Sequence, residues 1–127
     1  MNMRVACGFP SPAEDFQSGP MSLTDLVVRN PTATFYATAE GESMEGFDIH
    51  DGDTLVLDRS IDAQDGDICL VVWDGGLLVK QLYARQGTVR LLSGHPDHPP
   101  IELGDGEELH VWGVVTWSFR KHFKRKA

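Results

Sequence analysis

From Thr32 onward, short apolar runs alternate with turn residues at close intervals. Short runs bounded by Gly, Asp and Pro predict strands rather than helices. The runs are Ala33–Ala39, Thr54–Asp58, Ile68–Trp73, Leu77–Ala84, Thr88–Leu92, Ile101–Leu103 and Leu109–Phe119. Asp51-Gly52-Asp53 and Asp65-Gly66-Asp67 are turns between them, and Asp74-Gly75-Gly76 between two apolar runs signals a hairpin. In the last run Val111, Gly113, Val115 and Trp117 are expected to face one way, and Trp112, Val114, Thr116 and Ser118 the other. Both faces are largely apolar, so this strand lies in the middle of the sheet or is covered by a partner, which favours a homodimer. Ahead of the strands, Ser22-Leu23-Thr24-Asp25 reads as a helix start with Ser22 as N-cap. Leu23, Leu26 and Val27 share one face, and Asn30-Pro31 ends the helix. Residues 1–20 have no periodicity, and Phe9-Pro10-Ser11-Pro12 and Gly19-Pro20 force extended or turn conformations. The expected architecture is a flexible arm over residues 1–20 and a mostly β domain over residues 21–127, with about seven short strands and one short helix.

Composition narrows the class. A chain of 127 residues, 41% hydrophobic and 24% charged, suits one soluble domain with a real core. No apolar run approaches 18 residues and the first residues lack a signal-length apolar stretch, so a cytoplasmic protein is expected. Two cysteines are too few for a disulfide framework, and Cys69 within Ile68–Val72 reads as a small core residue. A net charge of −8 argues against general nucleic-acid binding. The basic tail Arg120–Lys126 is expected to be a solvated end, with contact to an acidic partner or DNA phosphates as the alternative.

Two residues could carry chemistry. Alternation puts Lys80 between Leu78 and Leu82 on one face. Its head either reaches water from an apolar stem or is buried, and burial favours the neutral amine. A neutral lysine can take a proton from a serine. Ser43 follows a strand and lies between Gly41 and Gly46, where it is either a turn residue bonding a local amide or a nucleophile. The second glycine comes one residue too late for the Gly-x-Ser-x-Gly elbow. A Ser-His-Asp triad on the isolated His50 or His110 stays open at this level. His95 and His98 beside Asp97 offer metal ligands, but no further ligand or helix frames them and the prolines read as an exposed loop. Asp51, Asp53, Asp58, Asp62, Asp65 and Asp67 lack the order of an EF-hand and fit turn chemistry. No metal and no cofactor is expected.

The ordered set Cys7-Gly8-Phe9-Pro10-Ser11-Pro12-Ala13, Gly41-Glu42-Ser43-Met44, Asp51-Gly52-Asp53 and Val79-Lys80 strongly resembles the LexA/UmuD family of serine–lysine self-cleaving peptidases. The resemblance runs from about Val5 to about Val115. It implies the family's curled β catalytic domain, Ser43 as nucleophile, Lys80 as general base, and a scissile bond at Cys7–Gly8 in the chain's own arm. The Ser43 amide is then a candidate oxyanion donor. The resemblance further implies cleavage stimulated by a RecA–single-stranded-DNA filament after DNA damage. The trimmed chain would be a homodimer that binds a Y-family translesion DNA polymerase subunit. Six residues precede Cys7, a shorter arm than the resemblance leads one to expect, and leave no room for a DNA-binding helix-turn-helix. A repressor is therefore disfavoured. The rival reading is a non-catalytic dimeric polymerase-binding module of the same fold. An enzyme cutting other proteins at a membrane is weakened by the built-in Cys7–Gly8 site.

Overall fold

The computed structural model describes residues 4–9 and 22–125. Most of the arm's proline-rich part therefore lies outside the described residues. Ser22 caps a single-turn helix α1 (Leu23–Val27), its Oγ accepting the Asp25 amide at 3.1 Å as the local sequence predicts. Only Val27 of the expected apolar face is buried, while Leu23 and Leu26 stay exposed. Pro31–Ala33 form a short 3-10 turn, which trims the first predicted strand at its start.

Seven strands come next: β1 (Thr34–Thr38), β2 (Thr54–Asp58), β3 (Ile68–Trp73), β4 (Gly76–Arg85), β5 (Thr88–Leu92), β6 (Ile101–Glu102) and β7 (His110–Phe119). They form one antiparallel sheet in the order β1-β2-β7-β3-β4-β5-β6. The protein is thus mostly β with one short helix. Two tight hairpins set the register of its second half. Asp74-Gly75 joins β3 to β4 and Gln86-Gly87 joins β4 to β5, all four residues with positive φ as a type I′ turn requires.

The long β7 runs between β2 and β3, so its two apolar faces reflect a central position. The expected alternation along it does not hold. Register slips opposite Val56/Leu57 and Leu70/Val71 leave Thr116 and Trp112 without partners, and each such bulge reverses the facing of the residues beyond it. Val111 and Val114 therefore pack in the same cluster, whereas Val115 faces a different one. The first cluster centres on Cys69, Val71, Leu82, Leu91 and Val114. Cys69 is fully buried there, and burial pushes its thiol up to about 11, in keeping with an inert core role. The second cluster centres on Ala39, Met44, Ile49 and Leu55. It anchors the loop that carries Ser43.

Candidate active site

The segment between β1 and β2 is a loop held by its own backbone and by carboxylates. The Ala39 amide bonds Asp53 O and the Gly52 amide bonds Ala39 O, both at 2.8 Å, which closes the loop at its base. Asp51 Oδ1 accepts the Gly41 amide at 2.8 Å, where Gly41 takes φ +88. Two residues past Ser43, the chain enters a 3-10 turn over Glu45–Phe47, ended by Asp48 in the left-handed region. Met44 is buried in the second core cluster and so fixes the backbone next to Ser43.

Asp51 is one of several acidic residues used in this way. Asp53, Asp58, Asp65 and Asp67 accept the amides of His50, Ser60, Ala84 and Gln64. Each of the four thus satisfies a nearby backbone amide, as turn chemistry leads one to expect.

Lys80 lies in the middle of β4 and is only 5% exposed. Its Nζ stands 3.3 Å from Ser43 Oγ and 2.7 Å from Ser93 Oγ. No carboxylate bonds the Lys80 head among the described residues. Burial therefore lowers its pKa from the usual lysine value and makes the neutral amine accessible at lower pH. The Ser43 contact sits just beyond the range of about 2.6–3.2 Å of a working nucleophile–base pair, a looseness common before substrate arrives. The other candidate bases lie elsewhere. His50 Nε2 bonds Asp48 Oδ1 at 3.0 Å, and His110 faces Glu108 at 3.7 Å.

Ser93 carries no motif of its own in the sequence, yet the β4–β5 hairpin dictates its place. The register pairs Gln81 with Leu92, so one step further sets Ser93 opposite Lys80 on the same face. The next residue locks the two loops together. The Gly94 amide bonds Ser43 O at 2.6 Å, and the Gly46 amide bonds Gly94 O at 2.7 Å. This approach leaves no room for side chains: a Cβ on Gly46 would lie 2.6 Å from Gly94 O. Gly46, by sequence half of a turn, is a contact point between two backbones.

Beside the pair runs a cleft of about 410 Å³, lined by residues 37–41 on one wall and Leu77, Leu78 and Val79 on the other. Ser43 and Met44 form part of its lining. An extended apolar peptide suits such walls. Cys7 and Gly8 are exposed.

A family model described as Peptidase S24-like matches residues 1–116. The chain belongs to this peptidase family. Among its relatives, Protein MucA of Salmonella typhimurium is 38% identical over 120 residues, covering 94% of this chain and 82% of MucA. Protein SamA of Salmonella typhimurium (strain LT2) is 37% identical over 113 residues, covering 89% of this chain and 78% of SamA. The LexA repressor of Halorhodospira halophila is 36% identical over 112 residues, which are 87% of this chain but 49% of that repressor. Membership of a peptidase family agrees with a serine, Ser43, in the lining of the cleft. No helix among the described residues is long and apolar enough to cross a membrane.

Proposed function

We propose that this S24-like peptidase cuts its own chain at Cys7–Gly8, with Ser43 as nucleophile and Lys80 as general base. The observation that carries this reading is a buried lysine without a bonded carboxylate, set 3.3 Å from a serine hydroxyl. Neutral Lys80 takes the Ser43 proton as Oγ attacks the Cys7 carbonyl carbon. The negative charge moves to the carbonyl oxygen, for which the Ser43 N–H is a donor. Collapse breaks the Cys7–Gly8 bond, and Lys80 returns the proton to the departing Gly8 amine. Water then hydrolyses the Cys7 ester of Ser43 by the same proton relay. Tethering the substrate to the enzyme makes the attack effectively unimolecular. Glycine after the bond lets the arm bend into a narrow cleft.

The biological reading extends the same proposal. A RecA–single-stranded-DNA filament stimulates the cleavage after DNA damage in the cytoplasm. The product, residues 8–127, acts as a homodimer with a Y-family translesion polymerase subunit. Its support is the ordered set of motifs together with the relatedness to MucA, SamA and LexA.

Mass spectrometry of the purified chain tests the chemistry. Incubation at alkaline pH, or with RecA filament and nucleotide, is expected to remove residues 1–7, and Ser43→Ala or Lys80→Ala to abolish the loss. Cleavage at the unaltered rate in either variant would sink the mechanism. An intact mass under all conditions would establish the rival reading, a binding module of the same fold that is never cut.

A further inference from the structure

The pair His95 and His98 lacks a further ligand when the sequence is read alone. Folding supplies one. The loop after Ser93 turns back at His95-Pro96-Asp97-His98, where the His98 amide bonds His95 O at 3.0 Å around a proline well suited to that turn position. The turn sets the two imidazole rings edge to face, with centroids 5.4 Å apart. The Gly46–Gly94 backbone lock then brings this loop against the Ser43 turn, and Glu42 meets the histidines. One ligand atom from each of Glu42, His95 and His98 lies within 4.8 Å of the others. His98 Nε2 is 3.9 Å from Glu42 Oε1.

We infer that Glu42, His95 and His98 form a binding site for a divalent transition-metal ion of the zinc type. Two imidazoles and a carboxylate suit zinc, whereas magnesium and calcium prefer oxygen ligands throughout. Tetrahedral ligands at about 2.0 Å from the ion stand roughly 3.3 Å apart. The three groups therefore need to close by only a small side-chain movement. Glu42 and His98 lie at the surface, so that movement meets little resistance. His95 is less exposed, and in the ion-free site its Nδ1 accepts the Asp97 amide at 3.1 Å, with Asp97 Oδ2 3.8 Å away. Ligation through Nε2 needs the ring proton on Nδ1, so the Asp97 N–H bond gives way and the Nδ1–H turns to the Asp97 carboxylate oxygen 3.8 Å away. That is the usual outer partner of a metal-bound histidine. The fourth position is left to water.

The site joins Glu42, next to Ser43, to the loop that carries Ser93. An ion there ties together the two loops that position Lys80's hydroxyl partners. The inference stands independently of self-cleavage, because it is read by metal affinity.

Competition of the metal-free full chain with a chromophoric chelator for Zn²⁺ at neutral pH provides the test. One ion per chain is expected, with Mg²⁺ unable to displace it. Glu42→Gln, His95→Asn and His98→Asn should each weaken binding about tenfold or more. Zn²⁺ should raise the thermal midpoint of the wild type but not of the three variants, whose unchanged circular dichroism would show that they fold. Cys7→Ser and His122→Ala, which alter ligands elsewhere, should leave affinity unchanged. Absence of binding by the wild type, survival of binding in all three variants, or its loss in Cys7→Ser would each overturn the site.

Discussion

At the scale of single residues, the proposed self-cleavage rests on the state of one amine. A neutral Lys80 has two N–H bonds and one lone pair, and two hydroxyls lie within reach. Donating one N–H to Ser93 at 2.7 Å turns the lone pair toward Ser43. In the proposed mechanism Ser93 is thus a positioning residue. Because burial lowers the Lys80 pKa, the neutral fraction rises with pH through that lowered value and levels off above it. The cleavage rate is expected to follow the same rise. Ser93→Ala removes one hydrogen bond of about 1.4 kcal/mol and should lower the plateau rate roughly tenfold. It also removes an acceptor that favours the ammonium, so the rise should move to lower pH, and Ser93→Thr should restore both. Rates measured by mass spectrometry across pH check this, and an unchanged profile in Ser93→Ala would show that Ser93 plays no part. The order of Ser43 and Lys80 relative to Cys7-Gly8 singled them out in the sequence, and the fold brings their side chains to 3.3 Å of each other. Ser93 was missed, and the signal that finds it is hairpin register: counting outward from Gln86-Gly87 sets it opposite Lys80.

At the scale of elements, composition and turn chemistry locate β3 and β5 at their observed bounds, because Asp-Gly and Gln-Gly leave little choice of turn. Side-chain facing along β7 was not legible. A bulge adds one residue without a composition signal of its own, and two bulges reverse the alternation twice. The meeting of the Ser43 turn with the loop after β5 was equally hidden, since it depends on two glycines 48 residues apart in the chain. Gly46→Ala tests that meeting. A methyl group 2.6 Å from Gly94 O must push the backbones apart, because neither side offers a flexible side chain to move. The strain should lower stability by about 1–3 kcal/mol. Cleavage should fall further than stability alone explains, since the Gly94–Ser43 bond shifts with it. Gly87→Ala is the control, because a Cβ there meets nothing within 4 Å although φ is +77. It should cost stability through backbone strain yet leave the cleavage of folded chains intact, so equal effects on cleavage would refute a special role for Gly46.

At the scale of the whole molecule, the loop bearing Ser43 is closed by the far end of the chain. Arg120, just beyond β7, donates from Nε and Nη2 to the two carboxylate oxygens of Asp53, each at 2.9 Å, and from Nη2 to Asp48 O at 3.2 Å. The basic tail is therefore not solvated from its first residue, as its composition suggested. Nothing local marks the pairing, because the partners are 67 residues apart and Asp53 looks like one turn aspartate among six. Asp53 is 2% exposed, so its charge is tolerable only while Arg120 and the His50 amide face it. The Arg120 hydrogen bonds hold the Asp53 carboxyl below its ordinary value despite burial. A lowered folded-state pKa means that the ion pair contributes fully above the ordinary carboxylate range. That contribution fades as pH falls through the folded value. Arg120→Ala should consequently lower the thermal midpoint by about 5 °C or more at neutral pH. The gap from wild type should narrow at acid pH, below the ordinary carboxylate range, where Asp53 becomes protonated first in the variant and then in both. Thermal unfolding followed by circular dichroism at both pH values measures this. A gap that stays constant with pH would mean that Arg120 acts through its apolar stem, and that the charge of Asp53 does not hold the Ser43 loop.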